Sequence, residues 1–227
     1  MNRFVPLIAA AAMAVAGGAY WMTAGQPTTT AVSTILPAVS NIQTVSSENA
    51  ESSEIVEMAI GAEDAPITII EYASFTCPHC ASFHENVFKD LKVDYIDTGK
   101  VKFIFRDVYF DRYGLWASMV ARCGGQERFF GMTDILMETQ REWTSSGDPV
   151  AIADALRKTG RLAGLEDDTL QACLQDEDKA KALVAWFQEN AAADNVQATP
   201  TLIIDGEQHS NMNYADLREI LDGKLGE

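Results

Sequence analysis

Cationic side chains are scarce in this chain: 17 Lys and Arg stand against 33 Asp and Glu, a formal net charge of −16. That balance argues against nucleic acid and anionic lipid as partners, since both require a basic surface, and reads most simply as solubility. Histidine is scarcer still, with only His79, His84 and His209. Cysteine occurs at 77, 80, 123 and 173 alone. A structural zinc site takes four ligands, usually two Cys-x-x-Cys pairs or one pair with two spaced histidines. Neither a second Cys-x-x-Cys nor a His-x-x-x-His is present, so no metal is expected. No internal repeat is visible.

The amino terminus does not read as part of a fold. Residues 4–22 contain no charged side chain and follow Arg3, the pattern of an export signal. Ala14-Val15-Ala16 and Gly17-Gly18-Ala19 both offer small residues suited to cleavage. The stretch is also long enough to remain as a membrane anchor, although Pro6, Gly17 and Gly18 weaken a spanning helix. Both readings, a signal peptide or an N-terminal anchor over residues 1–22, send the remainder out of the cytoplasm. Residues 23–54 are rich in Thr, Ser, Pro and Ala and have no periodicity. They cannot bury enough apolar surface to offset chain entropy, so a disordered spacer is expected. Residues 55–227 then form the folded part, large enough for one core.

Within it, Ile67-Thr68-Ile69-Ile70-Glu71-Tyr72 reads as a buried strand. A helical pattern follows from Cys80, with His84, Val87, Phe88 and Leu91 on one face, and stops at Gly99. Val101-Lys102-Phe103-Ile104-Phe105-Arg106 gives a second strand, so the three elements form a right-handed βαβ unit with parallel strands. Residues 114–194 read as helical throughout. Trp116, Met119, Val120 and Cys123 share one face, and 129–143 forms a further stretch. Asp148-Pro149 starts a helix ending near Gly160, a short one begins at Asp167 or Asp168, and Leu183 and Phe187 mark a longer one. Thr201-Leu202-Ile203-Ile204, the turn Asp205-Gly206 and Glu207-Gln208-His209 make a hairpin. Asn213 caps a last helix with Leu217, Ile220 and Leu221 inward. The order describes an α/β sheet interrupted by a helical insertion.

The chemistry concentrates in Cys77-Pro78-His79-Cys80, where the first strand hands over to a helix. Unsatisfied N–H groups and the macrodipole at a helix start favour a thiolate. The dipole alone supplies about 0.3–1 kcal/mol, so a strongly acidic Cys77 also needs direct N–H···S bonds and His79, whose ring sits in the first turn. A stabilised thiolate makes the corresponding disulfide a stronger oxidant. Cys80 points inward and is expected to be the resolving thiol. Glu71 is either a buried acid able to exchange a proton with Cys80 or a strand-end carboxylate in contact with water. Cys123 and Cys173, each on an apolar helical face, are either bridged or two buried thiols; a bridge is the simplest pairing in an exported chain. Thr199-Pro200 stands directly before a strand, where proline is allowed.

Glu71-Tyr72-Ala73-Ser74-Phe75-Thr76-Cys77-Pro78-His79-Cys80, the helical insertion and Ala198-Thr199-Pro200-Thr201 together resemble the DsbA-like thiol:disulfide oxidoreductases of the thioredoxin superfamily, over residues 55–225. The resemblance implies an α/β, thioredoxin-like fold: a central mixed sheet flanked by helices, with a helical domain inserted at about 114–194. It implies that Cys77 is the nucleophile, Cys80 the resolving cysteine and Glu71 the buried acid. Pro200 would be cis and face the disulfide, and the Thr199-Pro200 loop would pair by backbone with an extended substrate peptide. Cys123 and Cys173 look like the structural disulfide of one DsbA subgroup. The implied activity is that of a monomeric periplasmic enzyme, soluble or tethered, that introduces disulfides into unfolded exported proteins. It would need no cofactor beyond the Cys77–Cys80 disulfide, and a DsbB-like membrane quinone reductase would reoxidise it. Threonine at 199 stands where the best-known DsbA oxidases carry valine and is also found in isomerases and reductases of the superfamily. A disulfide isomerase or thiol reductase is therefore the alternative, and a peptide-binding chaperone with incidental cysteines a third.

Overall fold

The computed structural model describes residues 55–226. The expected export segment and spacer, 1–22 and 23–54, lie outside the described residues. Five strands form one sheet in the order β1-β3-β2-β4-β5: β1 (Met58–Ile60), β2 (Ile67–Ala73), β3 (Val101–Asp107), β4 (Thr201–Ile204) and β5 (Glu207–Ser210). β2 and β3 run parallel, with Ile67 opposite Val101 and Ala73 opposite Asp107. The other neighbours are antiparallel, so the sheet is mixed. β1 carries no periodicity in sequence because it is only three residues long. Contacts from far along the chain accompany it: Arg122 Nη1 donates to Val56 O at 2.9 Å and Gln126 Nε2 to Glu57 O at 3.0 Å.

The helix that crosses from β2 to β3, here α1, begins at Pro78 and not at Cys80. Pro78–Phe83 is α-helical, His84–Phe88 π-helical, Lys89–Leu91 α-helical and Lys92–Ile96 π-helical. Proline suits a first helical position, where the missing N–H costs nothing, and this moves the start upstream of the second cysteine. The insertion comprises α2 (Arg112–Cys123), α3 (Gly125–Glu138), α4 (Gln140–Thr144), α5 (Pro149–Leu162), α6 (Asp167–Gln175) and α7 (Glu177–Ala193); α8 (Tyr214–Leu225) closes the chain. Four of these starts are capped by side chains: Asp111 accepts from Tyr113 and Gly114, Asp148 from Ala151, Asp176 from Lys179, and Asn213 from Asp216. The helix expected over 129–143 is instead broken at Thr139, whose φ −96° and ψ 12° leave the helical region. The break lets Gln140 turn toward the active-site loop.

Strand parity divides the interior in two. Ile67, Ile69, Ala73, Leu202 and Ile204 face the main core with Phe83, Phe88, Phe103, Phe105 and Phe129. Tyr72 and Ile203 point the other way and pack with Val108, Ile70 and Phe187 of α7. Behind β3, Arg122 is held by Asp107: Nε and Nη2 lie 2.8 and 2.6 Å from Oδ2. Both side chains are nearly fully buried, so removal of either partner would strand the other's charge.

Cys123 of α2 and Cys173 of α6 are bonded, closing a loop of 50 residues within the insertion. Constraint of the unfolded chain over that length corresponds to about 4 kcal/mol. Replacing both cysteines by alanine is expected to lower unfolding free energy by about that amount, read from the urea midpoint at unchanged m-value.

Candidate active site

β2 ends at Ala73, and the four residues Ser74 to Cys77 carry the chain to α1. Cys77 is the N-cap of α1 in an extended conformation, followed by Pro78. Its carbonyl accepts from the N–H groups of Cys80 and Ala81 at 3.1 and 3.2 Å. The two cysteines are thiols in this structure and meet different surroundings. Cys77 is 9% exposed and Cys80 not at all.

That difference sets their acidities in opposite directions. The Cys77 thiol is pulled down to about 5, chiefly because the Cys80 S–H donates to its sulfur. The Thr199 side chain and the backbone N–H groups of Cys80 and His79 add to this against the penalty of burial. Burial pushes the Cys80 thiol up, and its hydrogen bond to Cys77 and the nearby charge of Glu71 push it further. His79 itself is exposed, and the part of it that lowers the Cys77 pKa is its backbone N–H.

The Thr199-Pro200 peptide is cis. It brings Thr199 O within 3.6 Å of Cys77 Sγ, which donates to it. Thr199 Oγ1 is buried there with no hydrogen-bond partner, available to donate to a thiolate. Thr201 Oγ1 donates to Ala198 O at 2.8 Å and closes this loop. Glu71 is fully buried. Its odd position in β2 puts it on the main-core face between Ile69 and Ala73, opposite Phe105 and Leu202. Its Oε2 lies 3.0 Å from Nε2 of His84, a second buried side chain, on α1.

Three supports went unread in the sequence. Gln140, buried at the start of α4, donates from Nε2 to Phe75 O and Cys77 O at 2.8 and 2.9 Å. Thr76 Oγ1 donates to Asp111 Oδ2 at 2.7 Å, so the residue that caps α2 also holds the active-site loop. Gly114 lets α2 come this close, since a Cβ there would meet Ser74 Oγ and Thr76 Oγ1 at 3.3 Å. His84 did carry a signal: it falls four residues after Cys80 on the apolar helical face, where a polar group calls for a buried partner. Gln140 carried none, because only the break at Thr139 aims it.

A mixed sheet with a helix starting at a Cys-x-x-Cys dithiol, faced by a cis-proline loop, defines a redox protein of thioredoxin type. The chain belongs to the thioredoxin family, whose family model matches residues 53–223, and its likeness there is to DsbA-like members. It is similar to Wolbachia pipientis alpha-DsbA1 at 28% identity and a TM-score of 0.69, over 75% of this chain and 91% of that one. A structure described as a protein-disulfide isomerase from Novosphingobium aromaticivorans matches at 26% identity and a TM-score of 0.68, over 75% of this chain and 98% of that one. A Rickettsia bellii protein, provisionally named a protein-disulfide oxidoreductase, is 31% identical over 172 residues, 75% of this chain and 65% of its own length. The chain thus spans under two-thirds of that relative's length.

Titration of the reduced protein by thiolate absorbance is expected to show one midpoint at about 5, from Cys77, and no second thiolate until strongly alkaline pH. The Cys77 pKa lies below the ordinary thiol value of 9.0, so its thiolate stabilises the folded reduced form fully above pH 9. That contribution drains away as pH falls to about 5. Urea midpoints of the reduced form relative to the oxidised one should fall over the same range. Separately, Gln140→Leu removes a donor from two buried carbonyls and is expected to cost about 1–3 kcal/mol in urea unfolding.

Proposed function

We propose that this protein is a thiol:disulfide oxidoreductase that introduces disulfides into unfolded exported proteins by exchange through Cys77 and Cys80. The observation that carries the reading is the split between the two sulfurs. Cys77 is held as a thiolate by donors at the helix start, with its pKa near 5, while Cys80 is sealed in the core as a thiol. Stabilising the reduced pair in this way makes the disulfide a strong oxidant, because the acidic thiol is the better leaving group. A client thiolate attacks Cys77 Sγ of the disulfide and Cys80 leaves; a second client thiol then attacks the client sulfur of the mixed disulfide and releases Cys77. Pro78 and the N–H of His79 shape the helix start, and Glu71 is the buried acid beside Cys80. Thr199 and Pro200 are the platform on which an extended client strand pairs by backbone, a mode tolerant of sequence.

The site of action is the periplasm, the chain acts as a monomer, and a DsbB-like membrane quinone reductase returns the pair to the disulfide. Cys123–Cys173 is structural and needs no part in the exchange. A second reading, isomerase or reductase of the same fold, is favoured by Thr199 beside the dithiol and by the name of the Novosphingobium aromaticivorans structure.

The deciding measurement is the reduction potential of Cys77–Cys80 against glutathione. A value nearer DsbA's, about −120 mV, than thioredoxin's, about −270 mV, is expected. Cys80→Ser should also accumulate mixed disulfides when its Cys77 thiolate attacks a disulfide-bonded client and releases the client's other sulfur as a thiolate, and Cys77→Ser none. A potential near thioredoxin's, with no oxidation of a reduced client, would sink the oxidase reading.

A further inference from the structure

His84 places an imidazole in the interior, 3% exposed. Its ring centroid lies 4.7 Å from that of Phe88, 5.9 Å from Phe105 and 6.1 Å from Phe83. A polar ring among phenylalanines is costly unless its nitrogens are paired. Only one of them is: Nε2 faces Glu71 Oε2 at 3.0 Å, whereas His84 Nδ1 is buried without a partner. The carboxylate repeats the pattern, since Glu71 Oε1 is also buried and unpartnered. The hydrogen-bonded pair therefore has an open polar atom at each end.

Two features lie near this pair. Cys80, like Glu71, is fully buried, and the Glu71 charge acts on its thiol. His84 also lines a groove of about 230 Å³ between α1 and α3, with Pro78, Glu85, Lys89, Asp134 and Glu138. Burial pushes the Asp134 carboxyl up, and a positive charge on His84 pulls it back, which puts the two within electrostatic reach of each other. His84 is also the first residue of the π-helical stretch His84–Phe88, a local winding found often at functional sites.

We propose that Glu71 and His84 form a proton path from the buried Cys80 thiol to the groove between α1 and α3, with His84 as the residue that positions Glu71 and passes its proton outward. The proposal rests on the dithiol being an exchange site. In the resolving step a disulfide joins Cys77 Sγ to a partner sulfur. Three shifts each move one proton: Cys80 Sγ–H to the Glu71 carboxylate, that proton from Glu71 on to His84 Nε2, and His84 Nδ1–H to water in the groove. Carboxyl and imidazole end with as many protons as they began with. The Cys80 thiolate attacks Cys77 Sγ, a bond forms between the two sulfurs, and the bond from Cys77 Sγ to the partner breaks with its electron pair, releasing the partner as a thiolate. When Cys80 leaves as a thiolate in the opposite half of the cycle, the same shifts run inward and reset the path.

Stopped-flow mixing of reduced protein with excess oxidised glutathione separates attack by Cys77, which depends on glutathione concentration, from resolution by Cys80, which does not. His84→Ala and His84→Gln should slow resolution relative to attack in the same traces by about tenfold or more, below the roughly 10²–10⁴ of a group acting directly on reacting atoms. Added imidazole, entering from the groove, should restore much of the rate to His84→Ala. A purely structural histidine would not show this rescue. If His84→Ala does not fold, His84→Gln decides alone, because its amide can still donate to Glu71 but has no second proton site. A wild-type ratio of the two phases in His84→Gln overturns the path, as does an imidazole-insensitive defect in a folded His84→Ala. Absence of both phases in the wild-type protein would instead overturn the exchange reading beneath it.

Discussion

The structure is organised around a short handover: after Ala73 the chain must leave β2 and enter a helix within four residues. A parallel β2–β3 pair requires that crossing helix, and its first turn then lies at the carboxyl edge of the sheet. Cys77 occupies the cap and Cys80 sits three residues on, one turn inward. The slight access of one sulfur and the full burial of the other follow from helical geometry once the start of the helix is set. Pro78, Gln140 and the Thr76–Asp111 hydrogen bond all act on that one position.

The helical insertion thereby has two duties. It supplies apolar surface for the main core, and it reaches back to the active-site loop through polar side chains from two helices. Asp111 accepts from Thr76 while capping α2, and Gln140 donates to Cys77 O from α4. Both contacts tie the loop to residues of the insertion, so the loop's conformation is shared between its own hydrogen bonds and those the insertion adds. The sheet contributes the other wall, where Glu71 shares the core face of β2 with Ile69 and Ala73. A carboxyl at that position is tolerated because His84 faces it across the same core.

Much of this was legible from residue pattern. The parallel strands, the hairpin at Asp205-Gly206, the caps at Asp148 and Asn213 and the dithiol at a strand-to-helix junction are all local features with local causes. Glu71 was legible as far as its parity, which assigns it to one face of β2, but parity does not say which face is dry. The start of α1 at Pro78 followed from a rule that was visible but outweighed by apolar spacing. The kink at Thr139, the strand Met58–Ile60 and the reach of Gln140 had no such signal. Each is decided by contacts between residues far apart in the chain, and a single sequence does not display those.

Cys123–Cys173 is closed while Cys77 and Cys80 carry free thiols. The two sulfur pairs are thus in opposite oxidation states within one molecule, and the closed pair lies wholly inside the insertion. At the reduced point of a redox cycle, when the active pair no longer restrains anything, the polypeptide still carries a cross-link across 50 residues. Its unfolded ensemble is never that of a fully linear chain, and the helices that hold the active-site loop keep their tether in both states of the pair they serve.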